Sequence, residues 1–166
     1  MIEYRTANPE DSAGLLLHLR TVGAETDNLT FGNEGFQISA EREARFINRF
    51  VKNKDEIMLV AMDGERVVGN GVIERERIPR LSHRVRLTLT VLRDYWGIGI
   101  GSRLLDMMIE FCKRSGAELI YLECRADNLR AVSLYRKHGF SESGRLQRYF
   151  KINGEYFDAV VMELPL

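Results

Sequence analysis

Three glycines at alternate positions, Gly97, Gly99 and Gly101, separate an alternating apolar run, Arg84 to Leu92, from an amphipathic one, Arg103 to Arg114. Strand, glycine turn and helix in this order can build an anion site from backbone alone. The glycines allow a tight turn with no side chains in the way. The first N–H groups of the helix then point outward, and the positive end of its dipole stands behind them. Gly97, Ile98, Gly99, Ile100, Gly101 and Ser102 are therefore read as a phosphate cradle. Ser102-Arg103 follow Gly101 where a nucleotide-hydrolysing loop requires lysine and then serine or threonine, which argues against that class. A dinucleotide fingerprint requires glycine where Ser102 stands, yet Glu123 lies about twenty residues on, near the place of a ribose-binding acid. The turn alone leaves that alternative open.

The downstream sequence discriminates. Asn128-Leu129-Arg130-Ala131-Val132-Ser133-Leu134-Tyr135-Arg136-Lys137-His138-Gly139-Phe140 follows a second apolar strand, Leu119 to Cys124. Together with the glycine turn it resembles the GNAT superfamily of acetyl-CoA-dependent N-acetyltransferases. The family signature is a Gln/Arg-x-x-Gly-x-Gly/Ala loop followed by Asn-x-x-Ala-x-x-Leu-Tyr-x-x-x-Gly-Phe. The second motif matches at Asn128, Ala131, Leu134, Tyr135, Gly139 and Phe140, while Trp96 stands where the loop usually carries glutamine or arginine. The resemblance extends from about Ile2 to Leu164 and is nearest to bacterial amino-acid and phosphinothricin-type acetyltransferases.

The resemblance implies acetyl-CoA as cofactor and a set of roles. Leu89, Thr90 and Val91 would offer backbone groups to the pantetheine arm, with an N–H, that of Val91, facing the thioester oxygen. Gly97 to Ser102 would take the pyrophosphate, with Arg103 a candidate for the same phosphates. Tyr135 would protonate the departing thiolate, and Asn128 would bind pantetheine or order the proton path while also capping its helix. Aminolysis of a thioester needs positioning, a stabilised oxyanion, a neutral amine and a proton for the leaving group, so no covalent intermediate is required. No carboxylate occupies His83-Arg84-Val85-Arg86, where some family members carry a glutamate base. Glu25 and Glu74 remain as candidates, with His83 a third because histidine exchanges protons near neutral pH.

These residues must be held by a framework, and hydrophobic periodicity supplies one. Ile2 to Thr6 reads as a strand, and Asn8-Pro9 as a helix start ahead of Leu15, Leu16 and Leu19. Gly23 to Gly35 reads as a loop or broken helix; Ser39 caps a second helix carrying Phe46, Ile47 and Phe50. Asp63-Gly64 and Asn153-Gly154 are hairpin turns, and Val85, Leu87, Leu89 and Val91 alternate as a half-buried strand. Leu104, Leu105, Met108, Phe111 and Cys112 line one face of the helix after the glycine turn. The order β-α-α-β-β-β-α-β-α-β-β is an α/β (α+β) layer fold of the GNAT type. Its sheet is mixed and mostly antiparallel, with about six or seven strands flanked by about four helices. One N-acetyltransferase domain over residues 1–166 is expected.

With 24 basic and 24 acidic residues the net charge is formally zero, so nothing points to nucleic acid. No apolar run is long enough for a membrane span, Met1 to Arg5 does not open a secretion signal, and no metal-ligand spacing occurs. Cys112 and Cys124 read as buried thiols of a reducing compartment, so a cytoplasmic location is expected. For the acceptor, Glu25, Thr26, Asp27, Phe31 and Phe36 suggest carboxylates and aromatic walls around a small amine or amino acid. Arg75, Arg77, Arg80, Arg84 and Arg86 suggest a subsite for an acidic group. The expectation is direct acetyl transfer to a primary amine in a ternary complex, by a homodimer of the kind frequent in the family. Protein N-termini or lysines as acceptors, and a non-catalytic acyl-CoA sensor, are the alternatives.

Overall fold

The computed structural model describes residues 1–166. In chain order the elements are β1 (Ile2–Thr6), α1 (Ser12–Glu25), α2 (Ala40–Lys52), β2 (Ile57–Asp63), β3 (Arg66–Arg75), β4 (Arg84–Val91), α3 (Ile100–Arg114), β5 (Leu119–Arg125), α4 (Leu129–Lys137), β6 (Ser141–Ile152) and β7 (Glu155–Pro165). The seven strands form one sheet in the order β1-β2-β3-β4-β5-β7-β6. All neighbours are antiparallel except β4 and β5. The expected element order, mixed sheet and four helices are all present.

Local chemistry explains the boundaries. The Ser39 hydroxyl accepts from the Arg42 amide (3.3 Å) and starts α2. Gly64 and Gly154 adopt positive φ in the two hairpin turns. The expected start of the first helix at Asn8-Pro9 is a single 3-10 turn, and α1 begins at Ser12. There the Asp11 carboxylate accepts from the Asn8 amide (2.7 Å) and pairs with Arg5, which holds Asp11 below the usual carboxylate range. Helix α1 also runs on through Gly23 to Glu25, so the first three residues of the expected loop or broken helix, Gly23 to Gly35, are helical. The Gly32 carbonyl lies where a Cβ at position 23 would be, so this glycine serves a close approach rather than a break.

Helices cover both faces of the sheet. On one face α3 packs Leu104, Leu105 and Met108 against Ile120, Leu122 and Met162. On the other, Leu15 of α1 and Ile47 and Phe50 of α2 pack against Met58, Val60 and Val72. Each fully buried side chain of this size contributes about 1.5–3 kcal/mol, which fixes both layers to the central strands.

The feature that matters for function is a split in the sheet. Strands β4 and β5 pair only where Arg84, Val85 and Arg86 face Leu119, Ile120 and Tyr121. Beyond that point β4 continues to Val91 and β5 to Arg125 without pairing, while β5 stays paired with β7 along its whole length. One edge of β4 is thus left open in the middle of the molecule.

Candidate active site

The glycine turn lies at the end of that open edge. After β4 the chain makes a 3-10 turn, Arg93–Tyr95, whose first amide, that of Arg93, donates to the Glu25 carboxylate (2.8 Å). Gly97 and Gly99 then take φ of +80° and +92°, a region costly for any residue with a Cβ. The first amide of the turn to bond back is that of Arg103, to the Gly99 carbonyl (3.0 Å). The amides from Gly97 to Ser102 have no backbone acceptor. They stand at the positive end of α3, a helix of 15 residues. A Cβ built on Gly97 or Gly99 meets nothing within 4 Å, because both glycines line an open cavity of about 440 Å³. A phosphate fits this cradle: donors are present, space is present, and the cations Arg130 and Lys137 line the same cavity.

At two of the residues expected around the cradle, Ile98 and Arg103, the side chain lies outside the cavity. Ile98 is 64% exposed and outside the cavity lining, so position 98 has only its amide to offer. Arg103 is exposed and also outside the lining. Trp96 has a different task from the Gln/Arg it replaces. Its indole N–H donates to the Val91 carbonyl (2.7 Å), and its ring lies 4.6 Å from the Arg130 guanidinium, holding that cation over the cavity.

Backbone alternation decides which groups of β4 reach the open edge. The Arg84 carbonyl accepts from Glu76 and the Leu92 amide donates to Val68, so even-numbered positions turn their peptide groups toward β3. Leu89 and Val91, being odd, turn theirs toward the split. Thr90 does not, so the expected backbone contribution of Thr90 is corrected to a side-chain one. Its hydroxyl lies 2.8 Å from Nε2 of His18, a buried histidine of α1 whose Nδ1 lies 3.2 Å from the Val67 carbonyl. A carbonyl only accepts, so Nδ1 carries the hydrogen and Nε2 accepts from Thr90. The Thr90 oxygen is left with its lone pairs alone. Burial pushes the His18 pKa down to about 4, so the ring is neutral.

A second cavity, of about 530 Å³, opens on the α1/α2 side of the split. The two cavities share Asn28, Leu29, Leu89, Thr90, Asn128, Ala131 and Tyr135, and so meet where the split begins. Tyr135 is 6% exposed, and its hydroxyl has no hydrogen-bond partner in the protein. Burial holds this phenol well above its ordinary pKa, with Cys124 adding to the effect, so it keeps its proton. The Asn128 oxygen accepts from the Ala131 amide (3.2 Å), capping α4 at the same junction.

The floor of the second cavity follows from strand register. Asn70, Val72 and Glu74 of β3 stand opposite Thr90, Thr88 and Arg86 of β4, on the face covered by α1 and α2. Helix α2 adds Arg42, Glu43 and Phe46, the loop before it Phe31 and Phe36, and the β6–β7 ribbon Tyr149 and Phe150. Of the candidate bases, Glu74 lines this cavity, with its carboxylate held by Arg49 at 2.7 Å. Glu25 lines neither cavity, because its carboxylate caps the turn after β4. His83 is exposed and outside both linings. Asp27 is also outside them, whereas Thr26 lines the cradle cavity.

The expected arginine subsite does not form. Arg75 donates to the Ser82 and Ser115 carbonyls, Arg84 pairs with Glu163, and Arg86 alone lines the cavity, paired with Glu123 at 2.9 Å. Sequence reasoning missed Glu43 and Glu123 as cavity residues, and His18 as the buried partner of Thr90. Period-two alternation along β5 could have found Glu123, since it shares a face with Tyr121 opposite the buried Leu122 and Cys124. His18 and Glu43 sat unmarked on helix faces.

An extended anionic ligand in one slot and a second ligand meeting its end describe a group transferase, and the comparisons specify which. A model described as the acetyltransferase (GNAT) family matches residues 24–140. The chain is 34% identical over 146 residues to the N-alpha-acetyltransferase RimI of Mycobacterium tuberculosis, covering 79% of this chain and 90% of that protein. It is 34% identical over 106 residues to the L-amino acid N-acetyltransferase AaaT of Escherichia coli, covering 63% and 65%. A solved acetyltransferase of the GNAT family from Streptococcus pneumoniae superposes with a TM-score of 0.97 at 30% identity, over all of both chains. The chain belongs to the GNAT family of acetyl-CoA-dependent N-acetyltransferases. No helix is long and apolar enough to cross a membrane.

Proposed function

We propose that the protein transfers acetyl to a primary amine of a small molecule or amino acid by direct attack within a ternary complex. The observation that carries this reading is the meeting of the two cavities at Leu89, Thr90, Asn128 and Tyr135. Acetyl-CoA supplies the acyl group as a thioester. The amides of Gly97 to Ser102 bind its pyrophosphate, with Arg130 and Lys137 adding charge. The Leu89 and Val91 peptide groups bind along the open edge of β4, and the Val91 amide donates to the acyl oxygen, stabilising charge as it develops there. Tyr135, protonated and unpartnered, donates its Oη proton to the leaving sulfur and recovers it from solvent. Glu74 and Glu123 are the floor carboxylates available to take the proton of the amine, directly or through water.

Holding both reactants at one junction supplies a large share of the rate, since positioning accounts for about 7–11 kcal/mol of such barriers. The test is thiol release from acetyl-CoA across a panel of amino acids, amines and peptides, in the protein and in Tyr135→Phe. We expect turnover to fall about ten-fold or more in the variant, with unchanged acetyl-CoA affinity. Unchanged turnover would remove Tyr135 from the chemistry, and CoA binding without thiol release from any acceptor would favour the sensor reading. The relative named an N-alpha-acetyltransferase supports a second acceptor, the N-terminus of a peptide, which the same panel separates. The two buried free thiols suit a reducing, cytoplasmic setting. The homodimer implied by the family resemblance is part of this proposal and is read by light scattering.

A further inference from the structure

Glu43 projects from α2 into the second cavity while being only 4% exposed. It forms no ion pair, and no donor reaches its carboxylate, whereas the neighbouring carboxylates are held, Glu74 by Arg49 and Glu123 by Arg86. Of the cations around the cavity, Arg86 is thus engaged, and Arg42 stands exposed at the rim. Burying a carboxyl without a partner costs free energy, and the effect is visible as a raised pKa. A helix position one turn before Ile47 tolerates any apolar residue on packing grounds, so nothing in the core calls for an acid there. The walls beside Glu43 are aromatic: Phe31 and Phe36, whose rings lie 5.0 Å apart, and Phe46. A carboxylate set among aromatic side chains favours an organic cation over a hydrated metal ion, and the Phe46 ring already carries one such cation, the Arg49 guanidinium at 4.8 Å.

Position narrows the ligand further. Ile47, on the same stripe of α2, packs against Met58, Val60 and Val72, so this helix sits over β2 and β3. The open edge of β4, where Tyr135 and Val91 meet the acyl group, is therefore about two strand spacings away, on the order of 10 Å. That separation puts the Glu43 carboxylate out of hydrogen-bond reach of the reacting nitrogen, so it is not the group that takes the amine's proton. Glu43 is instead placed to hold a different group on the same acceptor.

We infer that Glu43 is a specificity residue for acceptors that carry a second cationic group, an ammonium or guanidinium, several bonds from the nitrogen that is acetylated. The inference rests on the acetyltransferase reading of the site. It assigns the acceptor class as diamines and comparably basic amines, in preference to monoamines of the same length.

The test compares 1,6-diaminohexane with 1-aminohexane by calorimetric titration into protein saturated with CoA, and by thiol release from acetyl-CoA. The wild type is expected to bind the diamine at least ten-fold more tightly and to favour it by a similar factor in kcat/KM. Glu43→Gln should erase that preference by raising KM for the diamine at least ten-fold. Thermal unfolding of Glu43→Gln should occur at a temperature equal to or above that of the wild type at pH 7, because an unpartnered buried carboxyl group has been replaced by an amide of the same shape. Equal affinity of the wild type for the two amines overturns the inference without any variant, as does a preference that survives in Glu43→Gln. Diamine binding that depends on Glu43, but with no thiol release from any amine, would support the subsite and overturn the catalytic reading instead.

Discussion

Lowering the pH from 7 toward 4 forces a proton onto His18, whose ring the native packing keeps neutral. This histidine is 2% exposed, so solvent screens it little, and its Nε2 already accepts from the Thr90 hydroxyl. Burial lowers its pKa from 6.5 to about 4; the Val67 carbonyl opposes the shift, and the positive charge of Arg66 adds to it. The unfolded chain therefore binds this proton over a window in which the native chain refuses it. Stability contributed by the neutral ring is fully present above about pH 6.5 and is lost as pH falls through that window toward 4. At about 1.36 kcal/mol per pKa unit, the ceiling is roughly 3 kcal/mol. For a chain of this size, that corresponds to a fall of roughly 6–12 °C in melting temperature. Thermal unfolding of the wild type and of His18→Gln at several pH values between 7 and 4 measures it. The lowered carboxylates Asp11, Asp127 and Asp158 lose their contributions in both proteins, at the acid end, so the difference between the two curves isolates His18. A steeper loss for the wild type is expected. Parallel curves, or an NMR titration of His18 with a midpoint near 6.5, would refute the reasoning.

Two further outcomes follow from the cradle. Gly99→Val places a β-branched side chain at φ +92° and fills the open space over the free amides. Acetyl-CoA affinity by calorimetry should fall at least ten-fold, and an unchanged isotherm would show that the phosphates bind elsewhere. Arg130→Ala removes a cation held over the cavity by Trp96, and should weaken acetyl-CoA several-fold and flatten its salt dependence, whereas Arg103→Ala should change neither.

Much of the site was legible because it is made of backbone. Gly97, Gly99 and Gly101 between two periodic runs specify a strand, a turn and a helix start, and a free helix N-terminus binds anions whatever surrounds it. Asn128 and Tyr135 stood out only because they match the motif that carries the family resemblance, and they lie at the start and toward the end of one short helix. The misses share a different cause. Glu25 ends α1 next to the loop that borders the cavities, yet its carboxylate is taken up by the Arg93 amide, a partner 68 residues away. Arg75, Arg84 and Arg86 cluster in sequence but are dispersed onto separate acceptors by strand alternation and pairing.

The sequence by itself determined the order of elements, both hairpins, the glycine turn ahead of α3 and the family, because each of these is written in local periodicity, turn chemistry and motif spacing. Tertiary structure alone decided where β4 and β5 part, which peptide groups line the opening, and which carboxylates line the second cavity with or without a partner. Those properties depend on pairs of residues far apart in the chain. Burial and charge pairing are set by the neighbour that folding delivers, and no local pattern in a single chain encodes that neighbour.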